Sequence, residues 1–281
     1  MILFDAHVHI YDCFDIDKLF FAAFNNFKFE ASRRSHGNDF TGVLLLAEDE
    51  DTNFFTRLKN YTKYSDFQLN KSLIMWKPEP AKEKAALWVT NELGEKLLIT
   101  AGRQIVTKER LELLSLLTNS FIPGGDIAIS TIRSVRTLDS IPVLPWSFGK
   151  WFGERGQAVA NILKKIDFPG IFLGDIYSRP KIWPSPTHFE KAKGKGIRIL
   201  AGTDPLNFAT EQILPGRYGS IIYERLDRNS PVTHFKELLR DPSIQIKTYG
   251  NRSGLISFFL NQARLRLFKY GLIPARKLAK S

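Results

Sequence analysis

Ile2-Leu3-Phe4-Asp5-Ala6-His7-Val8-His9-Ile10 is the stretch on which the reading of this chain turns. Side chains of a strand alternate between its two faces, so Leu3, Asp5, His7 and His9 share one face while Ile2, Phe4, Ala6, Val8 and Ile10 share the other. The second face is wholly apolar and wants a covering layer. The first carries two imidazoles toward the C-terminal end of the strand.

Outward from this strand the pattern alternates. Asp15 to Ala31 has helical apolar spacing through Leu19, Phe20, Ala23, Phe24 and Phe27, with Asp15 placed as its cap. Thr41 to Ala47 is an apolar run of strand length, a helix is expected near Phe54 to Tyr64, and a third strand around Leu73 to Trp76. Leu87 to Thr90 and Lys96 to Thr100 read as a small inserted hairpin before a strand at Gln104 to Thr107. Helices at Lys108 to Leu117 and Ile127 to Leu138 then lead to the strand Ile141 to Trp146. Helices at Gln157 to Ile166 and Thr187 to Ala192 flank the strands Gly170 to Asp175 and Ile197 to Ala201.

Parallel neighbours need connections long enough to hold a helix, and this order supplies them. The expected fold is therefore α/β, an irregular TIM-like (β/α) barrel of seven parallel strands, with an eighth hidden in the hairpin region. It occupies residues 1–217. Residues 218–281 form an α-rich basic appendage packed on it, with helices at Val232 to Leu239 and Gly254 to Tyr270 and a short strand at Ile244 to Thr248.

Of the 281 residues, 43% are apolar and 12% aromatic, ample for a large core. The single cysteine, Cys13, excludes an internal disulfide framework and reads as a buried, inert thiol. A strand starting at residue 2 leaves no room for a secretory leader, and no apolar run has the length of a membrane span. A cytoplasmic protein is expected, peripheral to a membrane at most.

Chemistry enters again at Ile199-Leu200-Ala201-Gly202-Thr203-Asp204-Pro205. Leu200, Gly202 and Asp204 share a face, the missing side chain at Gly202 leaves space beneath the carboxylate, and Asp204 falls at the C-terminal end of the last parallel strand. With Asp5-Ala6-His7-Val8-His9, this segment resembles the amidohydrolase superfamily of metal-dependent hydrolases. The resemblance implies that His7 and His9 bind a divalent metal and that Asp204 both ligates it and takes a proton from the attacking water. Two imidazoles and a carboxylate suit zinc, with manganese or iron as alternatives, and leave positions open for water and substrate. Such an ion lowers the pKa of bound water from 15.7 toward about 7.

That superfamily usually supplies further histidines from the fifth and sixth strands, where this chain offers Pro145-Trp146 and Gly174-Asp175. Asp175 is the provisional fourth member, as oxygen ligand or base, with Glu48 a weaker candidate in an acidic turn. The polymerase-and-histidinol-phosphatase family, seven-stranded and also opening on His-x-His, is the second resemblance. Its late motif generally has a histidine after the Asp, where this chain has Pro205.

A substrate rim is expected from Leu144-Pro145-Trp146-Ser147-Phe148-Gly149-Lys150-Trp151-Phe152-Gly153-Glu154-Arg155-Gly156. Lys150 and Arg155 would hold an anionic group and Trp146 or Trp151 an apolar or sugar face, with Arg179 and Gln104 on the same rim. The function expected is hydrolysis of an ester, amide or phosphoester of a small anionic molecule. The rival expectation is a barrel that has lost catalysis and binds a ligand or partner.

The formal charge is +11, and from Pro242 onward eight Lys and Arg occur with no Asp or Glu. The last helix carries Ile256, Phe259, Leu260, Ala263, Leu267 and Tyr270 in one stripe, widened by Phe258, Leu265 and Phe268, with Arg264, Arg266 and Lys269 between. Such a helix docks on the barrel or on a second copy of the chain, or lies in an anionic membrane surface. No nucleic-acid reader motif accompanies the charge.

Overall fold

The computed structural model describes residues 1–61 and 76–271. Two mixed sheets form among them. The larger runs β12 (Lys247–Gly250), β11 (Tyr218–Ile222), β1 (Ile2–Val8), β2 (Thr41–Leu46), β5 (Lys96–Thr100), β4 (Ala86–Asn91), β3 (Trp76–Pro80). The smaller runs β10 (Ile199–Gly202), β9 (Phe172–Ile176), β8 (Ile141–Pro145), β7 (Glu112–Leu116), β6 (Gly102–Val106).

The expected TIM-like barrel of seven or eight parallel strands is not what forms. Among the described residues the parallel ladders are β1–β2–β5 and β8–β9–β10, a single parallel bridge joins Glu48 to Arg103 of β6, and every other ladder is antiparallel. Three local causes prevent closure. First, β11 pairs antiparallel with β1 from Ile2 to Phe4, occupying the edge that a barrel would offer to the last parallel strand. β10 consequently meets β1 only near its end, and its Ala201 amide donates to Ser220 Oγ of β11 at 2.8 Å. Second, the hairpin β4–β5 is no local excursion, because β5 lies beside β2 while β4 and β3 extend the sheet outward.

Third, Lys108 to Leu117 is not a helix. Its apolar residues Leu111, Leu113, Leu114, Leu116 and Leu117 fit either period. A tight turn, in which Arg110 takes a positive φ of 58° and its amide donates to Thr107 O at 2.8 Å, folds the segment back as β7 against β6. β7 also pairs with β8, so a strand buried between two neighbours outweighs helical propensity.

Other elements stand close to their sequence positions. The helix α1 (Ile16–Ser32) starts at Asp15, whose carboxylate accepts from the Lys18 amide at 3.2 Å. The remaining helices are α2 (Phe54–Tyr61), α3 (Ala128–Thr137), α4 (Gly153–Lys165), α5 (Thr187–Lys193), α6 (Pro231–Arg240) and α7 (Leu255–Lys269). Leu73 to Met75 of the expected third strand lie outside the described residues. Residues beyond Arg217, read from the sequence as an appendage, supply β11 and β12 of the larger sheet.

Three apolar layers hold these pieces. One face of the larger sheet packs on α1 through Leu19, Phe20, Ala23 and Phe27. Between the sheets, Phe4, Val43, Leu98, Phe172 and Leu200 meet, with Phe235 of α6 edge-on to Phe4 at 5.1 Å. The outer face of the smaller sheet is covered by α3, α4 and α5 through Ile132, Val159, Leu163 and Phe189. No helix among the described residues is long and apolar enough to cross a membrane.

Candidate metal centre

β1 and the end of β10 build the centre between them. Gly202 lies so close to β1 that a Cβ there would sit 2.4 Å from the His7 nitrogen and 2.7 Å from its Cβ, so only glycine fits. Beyond it, Thr203 N and Oγ donate to the two oxygens of Asp5 at 2.8 and 2.5 Å. Gly216 N donates to the same carboxylate at 2.9 Å, and the His7 amide at 3.2 Å. Asp5 is thus a fully buried clamp joining β1 to the segment after β10. Burial pushes its carboxyl up to about 7, against the lowering effect of these donors.

The clamp sets Asp204. Its amide donates to His7 O at 2.8 Å and its backbone takes a positive φ of 49°, a conformation Asp tolerates better than most residues yet still strained. On the histidine side, the β1–β2 register shifts between Asp5 and Val8, a bulge of the kind that re-aims side chains. The outcome is convergence. His7 Nε2 and His9 Nε2 are 3.0 Å apart, and Asp204 Oδ1 lies 3.6 and 3.5 Å from them.

These three side chains form the one group of three or more His, Cys, Asp or Glu with metal-ligand spacing among the described residues. Two nitrogens bound to one tetrahedral zinc at 2.0–2.1 Å stand about 3.3 Å apart, close to the separations here. Both rings are buried, and desolvation holds them at about 4, so they are neutral near pH 7, their Nε2 atoms sharing a hydrogen bond that an ion would replace. Burial also pushes the Asp204 carboxyl up to about 6, the nearby His9 opposing it. His7 Nδ1 is buried with no hydrogen-bond partner among the described residues.

Gln104 of β6 lies near His7 and raises its proton affinity against the effect of burial. Lys150, after β8, is ion-paired with Glu112 of β7, and the charges of both are felt at His7 and Asp204. Glu112 has no place in the sequence reading, because Lys108 to Leu117 reads as helix. Alternation along a strand would have been the signal. Tyr11 stacks on His9 at 5.8 Å, and Asp49, with a buried Oδ1 lacking a partner among the described residues, acts electrostatically on His9.

Other expected site residues are placed elsewhere. Both oxygens of Asp175 are held by Arg179, at 2.6 Å each, and Oδ2 also accepts from Tyr218 at 2.7 Å. Asp175 therefore stands outside the His7–His9–Asp204 group, and Arg179 is committed to it. Trp151 is buried against His188 and Phe189 and donates to Pro145 O at 3.1 Å, while Trp146 is buried against Trp183. Arg155 lines a surface hollow with Lys108, Arg110 and Phe152. Glu48 is buried, accepts from the Phe55 amide at 2.8 Å and pairs with Arg103 at 3.8 Å. Cys13 is buried with its thiol 3.3 Å from Asn207 Oδ1.

No family model matches this chain, so the resemblance to metal-dependent hydrolases rests on its two short motifs. A stretch of 61 residues is 34% identical to cytosolic glucose-6-phosphate isomerase A of Oryza sativa subsp. japonica, covering 22% of this chain and 11% of that protein. The cytosolic glucose-6-phosphate isomerase of Zea mays is 28% identical over 118 residues, 41% of this chain and 20% of that protein. The chain thus spans a fifth or less of the length of these curated relatives. Among solved structures, PsfC from Pseudomonas syringae PB-5123 is similar at a TM-score of 0.50 over 96% of this chain and 98% of that one, at 12% identity. That is a likeness of fold alone.

Proposed function

We propose that the chain is a metal-dependent hydrolase acting on an ester, amide or phosphoester of a small anionic molecule, with His7, His9 and Asp204 holding the ion. The observation that carries this reading is the meeting of His7 Nε2, His9 Nε2 and Asp204 Oδ1 within 4.8 Å of one another. Two neutral nitrogens and one carboxylate oxygen match the donor set of a divalent ion with an open position. When bound, such an ion lowers the pKa of coordinated water and polarises the group under attack.

The chain's own residues divide the remaining work. The Asp204 carboxylate accepts the proton that the attacking water loses and returns it to the departing oxygen or nitrogen, so the reaction consumes one water and leaves the enzyme unchanged. Lys150 would meet the anionic part of the substrate on exchanging its ion pair with Glu112 for that anion.

The test is hydrolysis of p-nitrophenyl phosphate, p-nitrophenyl acetate and an anilide by protein loaded with zinc, manganese or iron. Turnover of at least one is expected, with loss on chelation, recovery on adding the metal back and a fall in kcat of at least about a hundredfold in Asp204→Asn. Turnover indifferent to both chelation and Asp204→Asn would overturn the proposal.

A further inference from the structure

Helix α7 packs on the rest of the chain through one side only. Phe258 is buried between Phe148 and Trp183, with ring centroids at 5.2 and 5.4 Å. Further along, Phe268 meets Phe208 at 6.2 Å and the Arg264 guanidinium lies over the same ring at 4.3 Å. The apolar stripe itself faces away. Ile256, Phe259, Leu260 and Tyr270 are 78%, 64%, 59% and 76% exposed, and Leu267 is exposed with them. Phe148, edge-on to Phe258, is itself partly exposed.

Scattered single apolar residues on a surface are ordinary, but a continuous helical stripe of this size marks a docking face. Charge selects its occupant. From Pro242 to Ser281 the chain carries eight Lys and Arg and no Asp or Glu. A symmetric dimer through α7 would set two such acid-free cationic segments against each other. An anionic surface meets both properties at once, taking apolar side chains into its interior while its headgroups neutralise the flanking cations.

We infer that α7 is an interfacial helix that docks the chain on an anionic lipid surface, with Ile256, Phe259 and Leu260 entering the acyl boundary and Arg266 meeting headgroups. This inference is independent of the hydrolytic reading, because it uses no residue of the metal centre.

Co-sedimentation of the full chain with phosphatidylcholine vesicles, with and without phosphatidylglycerol, tests it. Binding is expected only with the anionic lipid and weakening as salt is raised. It should fall about tenfold or more in Phe259→Ser/Leu260→Ser, and at least about fivefold in Arg266→Glu. Circular dichroism of these exposed-site variants should match that of the unaltered protein. Absence of sedimentation with anionic vesicles at low salt would overturn the inference, as would equal binding to neutral vesicles. A dimer seen by light scattering and abolished by Phe259→Ser/Leu260→Ser would give the face to a second copy instead and equally overturn it.

Discussion

The amide of Asp204 donates to the carbonyl oxygen of His7 at 2.8 Å, so the carboxylate and the imidazole of the proposed metal centre are joined through main chain as well as by converging side chains. The joint depends on β10 approaching β1 closely at Gly202, and on Asp5 gathering the backbone on either side.

Removing the Asp5 carboxylate should loosen that joint. Asp5→Ala leaves Thr203 N, Thr203 Oγ and Gly216 N buried without their acceptor. At roughly 1–3 kcal/mol per buried orphan, a loss of about 3 kcal/mol or more is expected in urea unfolding. A change under about 1 kcal/mol would mean that the clamp does not hold the sheets together.

Gly202→Ala is expected to act on the same joint by collision. Its Cβ would stand 2.4 Å from the His7 nitrogen, a backbone atom that cannot move without shifting β1. Destabilisation of about 2–3 kcal/mol is expected, together with weaker metal binding by calorimetry. Unchanged stability would show that β10 does not approach β1 so closely.

Metal affinity should follow Asp204 as pH falls. Desolvation holds His7 and His9 at about 4 and pushes Asp204 up to about 6. The imidazoles are therefore already neutral at pH 5, where the carboxyl has taken up a proton that metal must displace. Affinity should be level above pH 7, drop about tenfold per pH unit below 6, and drop more steeply below 4. Calorimetric titrations at pH 7.5, 6 and 5 check this. A two-proton slope beginning near pH 6.5 would instead give the competition to the histidines.

Asp175 should prove structural. Asp175→Ala strands Arg179, buried and deprived of both its bonds, at a cost of about 3–5 kcal/mol in unfolding free energy. Metal affinity of the folded variant should match that of the unaltered protein. A loss of affinity as large as that of His9→Ala would bring Asp175 back into the ligand set.

What the sequence made legible was local. That His7, His9 and Asp204 come together could be anticipated from their places at the ends of β1 and β10, although a bulge in β1 and the positive φ of Asp204, rather than strand alternation, aim the side chains. The barrel could not be excluded, because the strands that break it have ambiguous or unmarked sequences. Glu112 to Leu116 fits helical and extended periods alike, and only pairing with both β6 and β8 decides between them. Tyr218 to Ile222 is five buried residues whose direction beside β1 depends on partners more than two hundred residues away. Asp175 illustrates the same limit at the site. An Asp closing a parallel strand looks like a ligand until Arg179, four residues on, folds back to claim both of its oxygens.

The central claim is that His7, His9 and Asp204 hold a divalent ion, and elemental analysis of metal after stripping, reloading with zinc and removal of excess tests it most directly. One zinc per chain is expected in the unaltered protein and essentially none in His7→Ala/His9→Ala, with the variant's fold verified by circular dichroism. Equal zinc in both proteins, or none in either, would contradict the account.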